Sequence, residues 1–379
     1  GGAVLVSDRM NECRLYCNLG GGRFENVADQ AGVLNRRYAK AAVAGDFNGD
    51  GKLDLFVSNC GQENRLYLNR GDMRFEDVAA RLGVAEPINS FSCGVLDYDN
   101  DGKLDLLVVD HGATVNEWAT RYLGLTSDSK FHTRLFKNMG ESGFEDVSLN
   151  VGFDQIVLSM GIAIGDINND GFLDVYLATG RPDYSALMPN ILYKNLAGKR
   201  FEDITLSSGT GHLQKGHGSS FADWDGDGDL DLFIEAGGAV PGDKAHNLLF
   251  QNVGSHPGSF KIKLAGEKTN RSGIGARLTV ELETPGGGRR SIHRSIGAAA
   301  SYGGSSLVET IGLGDAVKVS SISVTWPIDG STQTFHDDIK AGTVVVIHEG
   351  ESQLKITEEK RLPELPAIDR TTTRFLGVK

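Results

Sequence analysis

The sequence lacks a long apolar run and a cluster of basic residues, and each absence excludes a class of protein. No stretch approaches the roughly 20 apolar residues that a membrane-spanning helix needs, so we expect no transmembrane segment. The formal net charge is −12 and the lysines and arginines are scattered. Because phosphate binding depends on clustered cations, we expect no nucleic-acid partner. The acid excess suits cations better.

Catalytic and cofactor signatures are also missing. The sequence contains no G-x-S-x-G elbow, P-loop or H-E-x-x-H motif, and its glycine pairs "GIGARL" and "GLGD" do not open a helix. The cysteines lie in the first quarter without C-x-x-C spacing, which disfavours structural zinc. They are Cys13, Cys17, Cys60 and Cys93. A disulfide and buried thiols both remain open, because the compartment decides between them.

Glycine, in contrast to these missing signatures, is abundant. With 50 glycines, nine prolines and few helical periodicities, the 379 residues predict many short strands joined by tight turns. We therefore expect an all-β chain, long enough for two or three domains, of the propeller, barrel or sandwich type.

An acidic motif recurs four times. "GDFNGDGKLDLFVSN" from Gly45 is followed by "LDYDNDGKLDLLVVD", "GDINNDGFLDVYLAT" and "ADWDGDGDLDLFIEA", whose first aspartates are Asp46, Asp97, Asp166 and Asp223. A second signature, "RLYLN" followed by "FEDV", travels with it. Each period then holds four strands, the content of a β-propeller blade. We count about five blades from the repeats, the first of them incomplete because the chain starts inside it. The intact protein could hold seven.

The acidic loops predict calcium sites. Hard Ca²⁺ prefers six to eight oxygens, and glycine at the sixth position permits the turn, as in the EF-hand loop. We assign oxygens to the first, third, fifth and ninth residues and a backbone carbonyl to the seventh, and expect about four calcium ions. The predicted ligands are Asp46, Asn48, Asp50, Lys52, Asp54, Asp97, Asp99, Asp101, Lys103, Asp105, Asp166, Asn168, Asp170, Phe172, Asp174, Asp223, Asp225, Asp227, Asp229 and Asp231.

Other interpretations of the loops are weaker. Magnesium needs a stricter octahedron and zinc prefers Cys or His. Asx turns alone would not need a carboxylate or amide at every odd position. The second and fourth loops carry Asp99 and Asp225 where the others have asparagine, so we expect them to bind calcium more tightly.

The blades resemble FG-GAP or VCBS-type repeats, although the FG and GAP signatures themselves are not evident. "GHGSSFADWDGDGDLDLF", "FKIKLAGEKTNRSGIGARLTV" and "SSISVTWPIDGSTQTF" resemble the ASPIC/UnbV family. The resemblance implies a calcium-bearing propeller over residues 1–258 and a small β-sandwich over 259–350, usually extracellular. Residues 351–379 are charged, contain two prolines and predict an extended tail.

Two inserts interrupt the repeat and are our candidates for ligand binding, because long loops on a rigid scaffold commonly carry function. A catalytic alternative would pair Glu117 or Asp183 with a histidine. The simpler alternative is a solvated loop packed through its aromatic residues. The candidates are His111, Glu117, Trp118, Arg121, Tyr122 and His132 in the first insert, and Arg181, Asp183 and Tyr184 in the second. A metal site of His212, His217 and His246 is a weaker hypothesis.

The sequence therefore predicts a secreted calcium-binding β-propeller that acts in adhesion, extracellular matrix or surface assembly by binding protein or glycan. No signal peptide is present in these 379 residues. One alternative is an enzyme on the same scaffold, acting on a carbohydrate or secondary metabolite. The other is a self-associating structural protein of a filament or surface layer.

Overall fold

The computed structural model describes residues 12–125, 130–180, 188–237, 245–254, 257–297, 300–304 and 306–358. The fold is all-β, mostly in antiparallel four-stranded sheets, as the sequence predicted. No helix among these residues is long and apolar enough to cross a membrane.

The repeats fold as successive sheets in chain order. A hairpin is followed by three four-stranded sheets and one three-stranded sheet, which we number 1 to 4. The hairpin is β1 (Tyr16–Gly20) and β2 (Arg23–Asn26); sheet 1 is β3 (Ala39–Gly45), β4 (Asp54–Asn59), β5 (Arg65–Asn69) and β6 (Phe75–Asp77); sheet 2 is β7 (Ser90–Leu96), β8 (Asp105–Asp110), β9 (Arg134–Asn138) and β10 (Phe144–Asp146); sheet 3 is β11 (Ser159–Gly165), β12 (Asp174–Thr179), β13 (Ile191–Asn195) and β14 (Phe201–Asp203); sheet 4 is β15 (Gly216–Ala222), β16 (Asp231–Ala236) and β17 (Leu248–Phe250).

Four short α-helices and a 3-10 turn (Gly140–Ser142) lie between these strands in the described part of the chain. Three of the α-helices follow the fourth strand of sheets 1 to 3, and one lies in the first insert. They are α1 (Ala79–Leu82), α2 (Val115–Tyr122), α3 (Ser148–Val151) and α4 (Thr205–Ser208). The "FEDV" signature therefore forms a three-residue strand that ends in a single helical turn.

The first strands of sheets 1 to 4 are neighbours: β3 contacts β7, β7 contacts β11, and β11 contacts β15. The first two strands of sheets 2 and 3 are almost entirely buried because apolar side chains from adjacent sheets pack between them. Sheets 2 and 3 share a cluster that includes Leu96, Leu107, Ile162, Ile164 and Leu177. Each sheet thus covers a face of the next one.

The asparagine of the "RLYLN" motif joins neighbouring sheets. Asn138 at the end of β9 donates its side-chain amide to the backbone carbonyl of Phe47 in the sheet before it, at 2.8 Å. Asn195 donates in the same way to Tyr98, and Asn252 to Ile167, both at 2.8 Å. The repeat therefore encodes one inter-sheet contact three times.

Residues 259–358, the C-terminal unit, form two sheets around one apolar core. One sheet has the order β21-β18-β24-β25 and the other β20-β19-β22-β23. Phe260, Val280, Ile322, Trp326 and Val345 are among the side chains buried between them. The strands are β18 (Ser259–Ala265), β19 (Arg277–Thr284), β20 (Gly288–Ser295), β21 (Val308–Gly312), β22 (Lys318–Thr325), β23 (Thr332–Phe335), β24 (Thr343–His348) and β25 (Lys355–Glu358).

The last strand comes from the segment predicted as a tail. β25 pairs antiparallel with β24, from Lys355 opposite Val346 to Glu358 opposite Thr343. The remaining predicted tail, residues 359–379, lies outside the described residues.

Candidate metal centre

The four acidic loops, numbered 1 to 4, span residues 46–54, 97–105, 166–174 and 223–231. Each joins the first strand of its sheet to the second. In loop 1, one carboxylate oxygen of Asp46 accepts from the backbone N–H of Asp50 at 3.0 Å, and the other accepts from Gly51 at 2.9 Å. Loops 2, 3 and 4 repeat both contacts. The first aspartate therefore nucleates the turn of every loop.

Two positions of each loop need a left-handed backbone. The sixth is always glycine, with φ between 82° at Gly51 and 95° at Gly228, as predicted for a sharp turn. The fourth also has positive φ and holds glycine in loops 1 and 4 but asparagine in loops 2 and 3, at 56° and 54°. Asn100 donates to the carbonyl of Gly171 at 2.9 Å, so loop 2 touches loop 3.

The ninth aspartate attaches the loop to the sheet. Asp54 is fully buried, and it accepts from the N–H of Phe47 at 2.9 Å and from Asn69 on the third strand at 2.8 Å. The corresponding aspartates of the other loops accept the same pair of bonds. Each oxygen keeps a second lone pair, so this role leaves metal binding possible.

The oxygens of loop 2 fit a cation. Asp97, Asp99 and Asp105 present carboxylate oxygens within 4.8 Å of one another. Burial, opposed in part by backbone hydrogen bonds, raises the pKa of Asp97 to about 7 and that of Asp105 to about 8, and the neighbouring carboxylates contribute. Asp99 Oδ1 is buried without a hydrogen-bond partner, and so is Asn168 Oδ1 at the same position of loop 3. Buried acceptors without donors are the expected feature of a cation site.

Basic side chains lie beside the carboxylates. Lys137 of β9 pairs with Asp99 in loop 2. From the C-terminal unit, Arg277 lies 3.7 Å from Asp46 and Lys261 lies 2.7 Å from Asp223. Part of the negative charge of loops 1, 2 and 4 is therefore balanced within the chain.

Residues of the acidic loops and of the C-terminal unit line an open cavity of about 860 Å³. The first aspartates of all four loops line it, together with Lys261, Arg277, Arg294 and Glu309 of the C-terminal unit. Burial raises the pKa of Glu309 to about 7, while nearby Arg294 opposes the shift. The sequence analysis missed this cavity, because no local motif shows which residues of the C-terminal unit face the loops.

A segment of the C-terminal unit, residues 300–303, reaches between the first strands. Ser301 accepts from Cys93 N at 2.9 Å through its hydroxyl and donates its own N–H to the Cys93 carbonyl at 2.8 Å. The N–H of Ser219 on β15 donates to the Tyr302 carbonyl at 3.0 Å. The pairing of β7 with β8 and of β15 with β16 shifts its register near the start of the first strand. This irregularity leaves the backbone groups of Cys93 and Ser219 available for bonds to the segment.

The first insert has mainly structural contacts. Glu117 and Thr114 form a capping box at the start of α2, and these bonds lower the pKa of Glu117. Trp118 stacks on Tyr122 with ring centroids 5.5 Å apart, and Arg121 pairs with Asp154 at 3.1 Å.

The two histidines of that insert lie elsewhere, since the His111 ring lies 4.9 Å from that of Phe91 in a tilted arrangement and His132 is buried. The structure thus gives the predicted residues separate contacts. Arg181, Asp183 and Tyr184 lie outside the described residues.

The remaining hypotheses gain no support. No cluster of metal-ligating side chains among the described residues includes His212, His217 or His246. All four cysteines are free thiols, and Cys93 is buried.

An aromatic cluster lies at the opposite end of the first strands from the acidic loops. Phe91 has the ring of Tyr302 5.7 Å away and that of His111 4.9 Å away. The Lys40 ammonium lies over both Tyr38 and Phe91, at 4.0 and 4.8 Å from their centroids. Tyr38 is 59% exposed and Tyr302 46%. Of this set the sequence identified only His111, because the others come from separate elements.

Comparison with known proteins agrees with this architecture. Two features define the class of protein to which this chain belongs. One is a repeated all-β unit with acidic loops, and the other is a C-terminal β-unit. The FG-GAP-like repeat family matches residues 3–57 and 46–108, and the ASPIC and UnbV family matches 266–354. The chain therefore carries FG-GAP-like repeats followed by an ASPIC/UnbV domain, as the sequence motifs indicated.

Cartilage acidic protein 1 of Mus musculus and of Homo sapiens are each 27% identical to this chain over 171 residues, or 44% of it. The match spans about a quarter of those relatives, 25% and 24% of their lengths. The V. cholerae biofilm matrix protein Bap1 aligns over 86% of this chain and 62% of its own, at 13% identity and a TM-score of 0.30, a likeness too low to bear on the fold.

Proposed function

We propose that the chain is a calcium-binding β-propeller protein of the extracellular matrix or adhesion type. The observation that carries calcium is the fourfold loop: carboxylate oxygens converge within 4.8 Å in loops 2 and 4, and two acceptors, on Asp99 and Asn168, are buried without donors. The similarity to cartilage acidic protein 1 supports an extracellular location and a matrix role.

The propeller arrangement is supported by the repeated relation between sheets. Contacts between consecutive first strands, and the asparagine bridge from each third strand to the previous loop, recur from sheet 1 to sheet 4. A constant step between equivalent blades places them around a common axis. In this arrangement the acidic loops lie at one end of the first strands and the aromatic cluster at the other.

Calcium would be held in each loop by the first, third and fifth side chains, with the ninth carboxylate beside them. A divalent cation would relieve the repulsion between carboxylates that share a buried loop, and would thereby stabilise the turn. Its role in this protein is structural, since the same loop is repeated in four sheets.

A calcium titration tests the proposal. We expect Ca²⁺ to raise the melting temperature of the EDTA-treated chain, with a smaller effect of Mg²⁺ at equal concentration. The double substitution of Asp97→Asn and Asp99→Asn removes two of the four carboxylate charges of loop 2 and should reduce the number of bound ions by one. Glu145→Gln, an exposed carboxylate outside the loops, is the control. The proposal fails if isothermal titration calorimetry detects no Ca²⁺ binding to the wild-type chain.

The aromatic cluster favours a glycan as the ligand of the adhesion function. Exposed aromatic faces can cover the apolar faces of sugar rings, while Lys40 and the hydroxyls of Tyr38 and Tyr302 offer hydrogen bonds. We expect cellohexaose or a hyaluronan hexasaccharide to bind the wild-type chain, and Tyr38→Ala or Tyr302→Ala to weaken binding by about tenfold or more.

Tyr16→Ala provides a matched control, because Tyr16 is also exposed but lies in the first hairpin. Equal loss of binding in all three variants, or no binding of either sugar, would remove the cluster from consideration as a glycan site.

A further inference from the structure

Loop 4 differs from the other three at its first carboxylate. Asp223 Oδ1 accepts from the N–H groups of Gly226 and Asp227, at 2.8 and 3.1 Å. Its Oδ2 accepts from Gly228 N at 2.9 Å and from Lys261 Nζ at 2.7 Å. Asp223 therefore receives four hydrogen bonds.

The equivalent aspartates receive half as many. Asp46, Asp97 and Asp166 each accept one backbone N–H per oxygen. An ionised carboxylate offers about four lone-pair positions in total. Each oxygen of these three residues thus keeps a lone pair that a cation can use, whereas every position on Asp223 is already occupied.

The position of Lys261 is fixed by the strand that carries it. β18 lies between β21 and β24, so its backbone is paired on both sides. Two residues before Lys261 on the same face of β18, Ser259 donates its hydroxyl to the carbonyl of Gly228 at 2.6 Å. The C-terminal unit therefore holds loop 4 at both its first and its sixth position.

The ion pair is also shielded from water. The side chain of Lys261 is 13% exposed and that of Asp223 is 1% exposed. Separating a buried pair leaves uncompensated charges, which strongly opposes dissociation. The carboxylate oxygens of Asp223, Asp225 and Asp227 lie within 4.8 Å of one another, so a calcium ion entering loop 4 would have to displace the ammonium that the fold delivers to Asp223. Lys137 pairs with Asp99 in loop 2, but within the described part of the chain no side-chain cation donates a hydrogen bond to the first aspartate of loop 2 or loop 3.

We propose that Lys261 is a tethered cation that closes loop 4 to calcium, so that the chain binds calcium in loops 1 to 3 only. The inference rests on the proposed calcium function and revises its expected stoichiometry. It reverses the expectation from sequence, which ranked loop 4 among the tighter sites because of its additional carboxylate. Lys261 lies 38 residues after Asp223, in another part of the fold, so the loop motif alone could not show it.

Ion counting by native mass spectrometry of the full chain in Ca²⁺ tests this assignment. We expect three ions on the wild-type chain and four on Lys261→Met, because removal of the ammonium leaves Asp223 with a free acceptor and an unbalanced charge. Lys263→Met is the matched control, since Lys263 is exposed on the same strand and should leave the count at three.

Asp223→Asn in the wild-type background provides a second measurement that does not depend on the folding of Lys261→Met. With loop 4 closed, this substitution should leave three ions bound. Four ions on the wild-type chain, a loss of one ion in Asp223→Asn, or an unchanged count in a folded Lys261→Met would overturn the proposal. Absence of all calcium from the wild-type chain would instead contradict the calcium function itself.

Discussion

At the scale of single residues, the asparagines of the "RLYLN" motif link local sequence to the packing of sheets. The side-chain amide of Asn138 donates to two carbonyls, that of Phe47 at 2.8 Å and that of Leu104 at 3.0 Å, and the residue is 2% exposed. Its own backbone N–H donates to Asp105. One residue thus connects the third strand, its own acidic loop and the loop of the preceding sheet.

We predict that Asn138→Ala destabilises the chain by about 1–3 kcal/mol, because it leaves two buried carbonyls without donors. Asn150→Ala, at an exposed position of α3, should change the free energy of unfolding by less than about 0.5 kcal/mol. Urea unfolding monitored by circular dichroism measures both. Equal stability of the two variants would show that the bridge contributes nothing to sheet packing.

The loops also show how far residue-level prediction from sequence extends. The glycine of the sixth position was predicted because a left-handed backbone leaves a clear mark on sequence. The ninth aspartate was assigned to calcium, and the structure shows that Asp54 and its equivalents also bind two backbone N–H groups. Both roles select the same residue type, so the pattern could not separate them.

At the scale of one element, loop 2 concentrates buried carboxylates. Burial raises the pKa of Asp97 to about 7 and that of Asp105 to about 8, above an unfolded value near 4. At pH values between about 4 and these raised pKa values, the folded chain binds more protons than the unfolded chain. These two carboxylates therefore lower the stability of the calcium-free fold as the pH rises from about 4 to 8.

We predict that the melting temperature in EDTA is lower at pH 8 than at pH 5.5, and that saturating calcium removes most of this difference. The ion replaces the protons as the balancing charge, so the stabilisation by calcium should increase with pH. Differential scanning fluorimetry with and without calcium measures both slopes. A calcium effect that is equal at the two pH values would contradict this account of loop 2.

The first insert is an element whose function the sequence did not resolve. The composition drew attention to Glu117, Trp118 and Arg121, and the structure uses all three to hold α2 in place, through a cap, a ring stack and an ion pair. Polar and aromatic residues in a long loop serve folding and binding alike. Only their contacts distinguish the two uses.

At the scale of the whole molecule, the C-terminal unit is joined to the repeats at two levels. Lys261, Arg277 and Arg290 contact the acidic loops, and residues 300–303 reach the first strands. β19 alternates between polar and apolar residues, and its Leu278, Val280 and Leu282 are all buried in the core of this unit. Its docking could not be predicted, because the partners are distant in sequence and share no motif.

Gly303 provides a test of that docking. A Cβ atom there would lie 2.1 Å from the Ser219 carbonyl oxygen and 2.7 Å from that of Ile162, both on rigid strands. We predict that Gly303→Ala forces the segment away from β11 and β15, and destabilises the chain by about 1–3 kcal/mol, as overpacking does in a close-packed interior.

Gly304→Ala is the matched control, because a Cβ at Gly304 meets nothing within 4 Å. If the segment holds the two parts together, Gly303→Ala should also increase the rate of limited proteolysis between the repeats and the C-terminal unit, while Gly304→Ala should match the wild-type chain. Identical unfolding and proteolysis of the two variants would mean that the central segment does not secure the C-terminal unit, and that the acidic-loop contacts alone position Lys261 and its neighbours over the cavity.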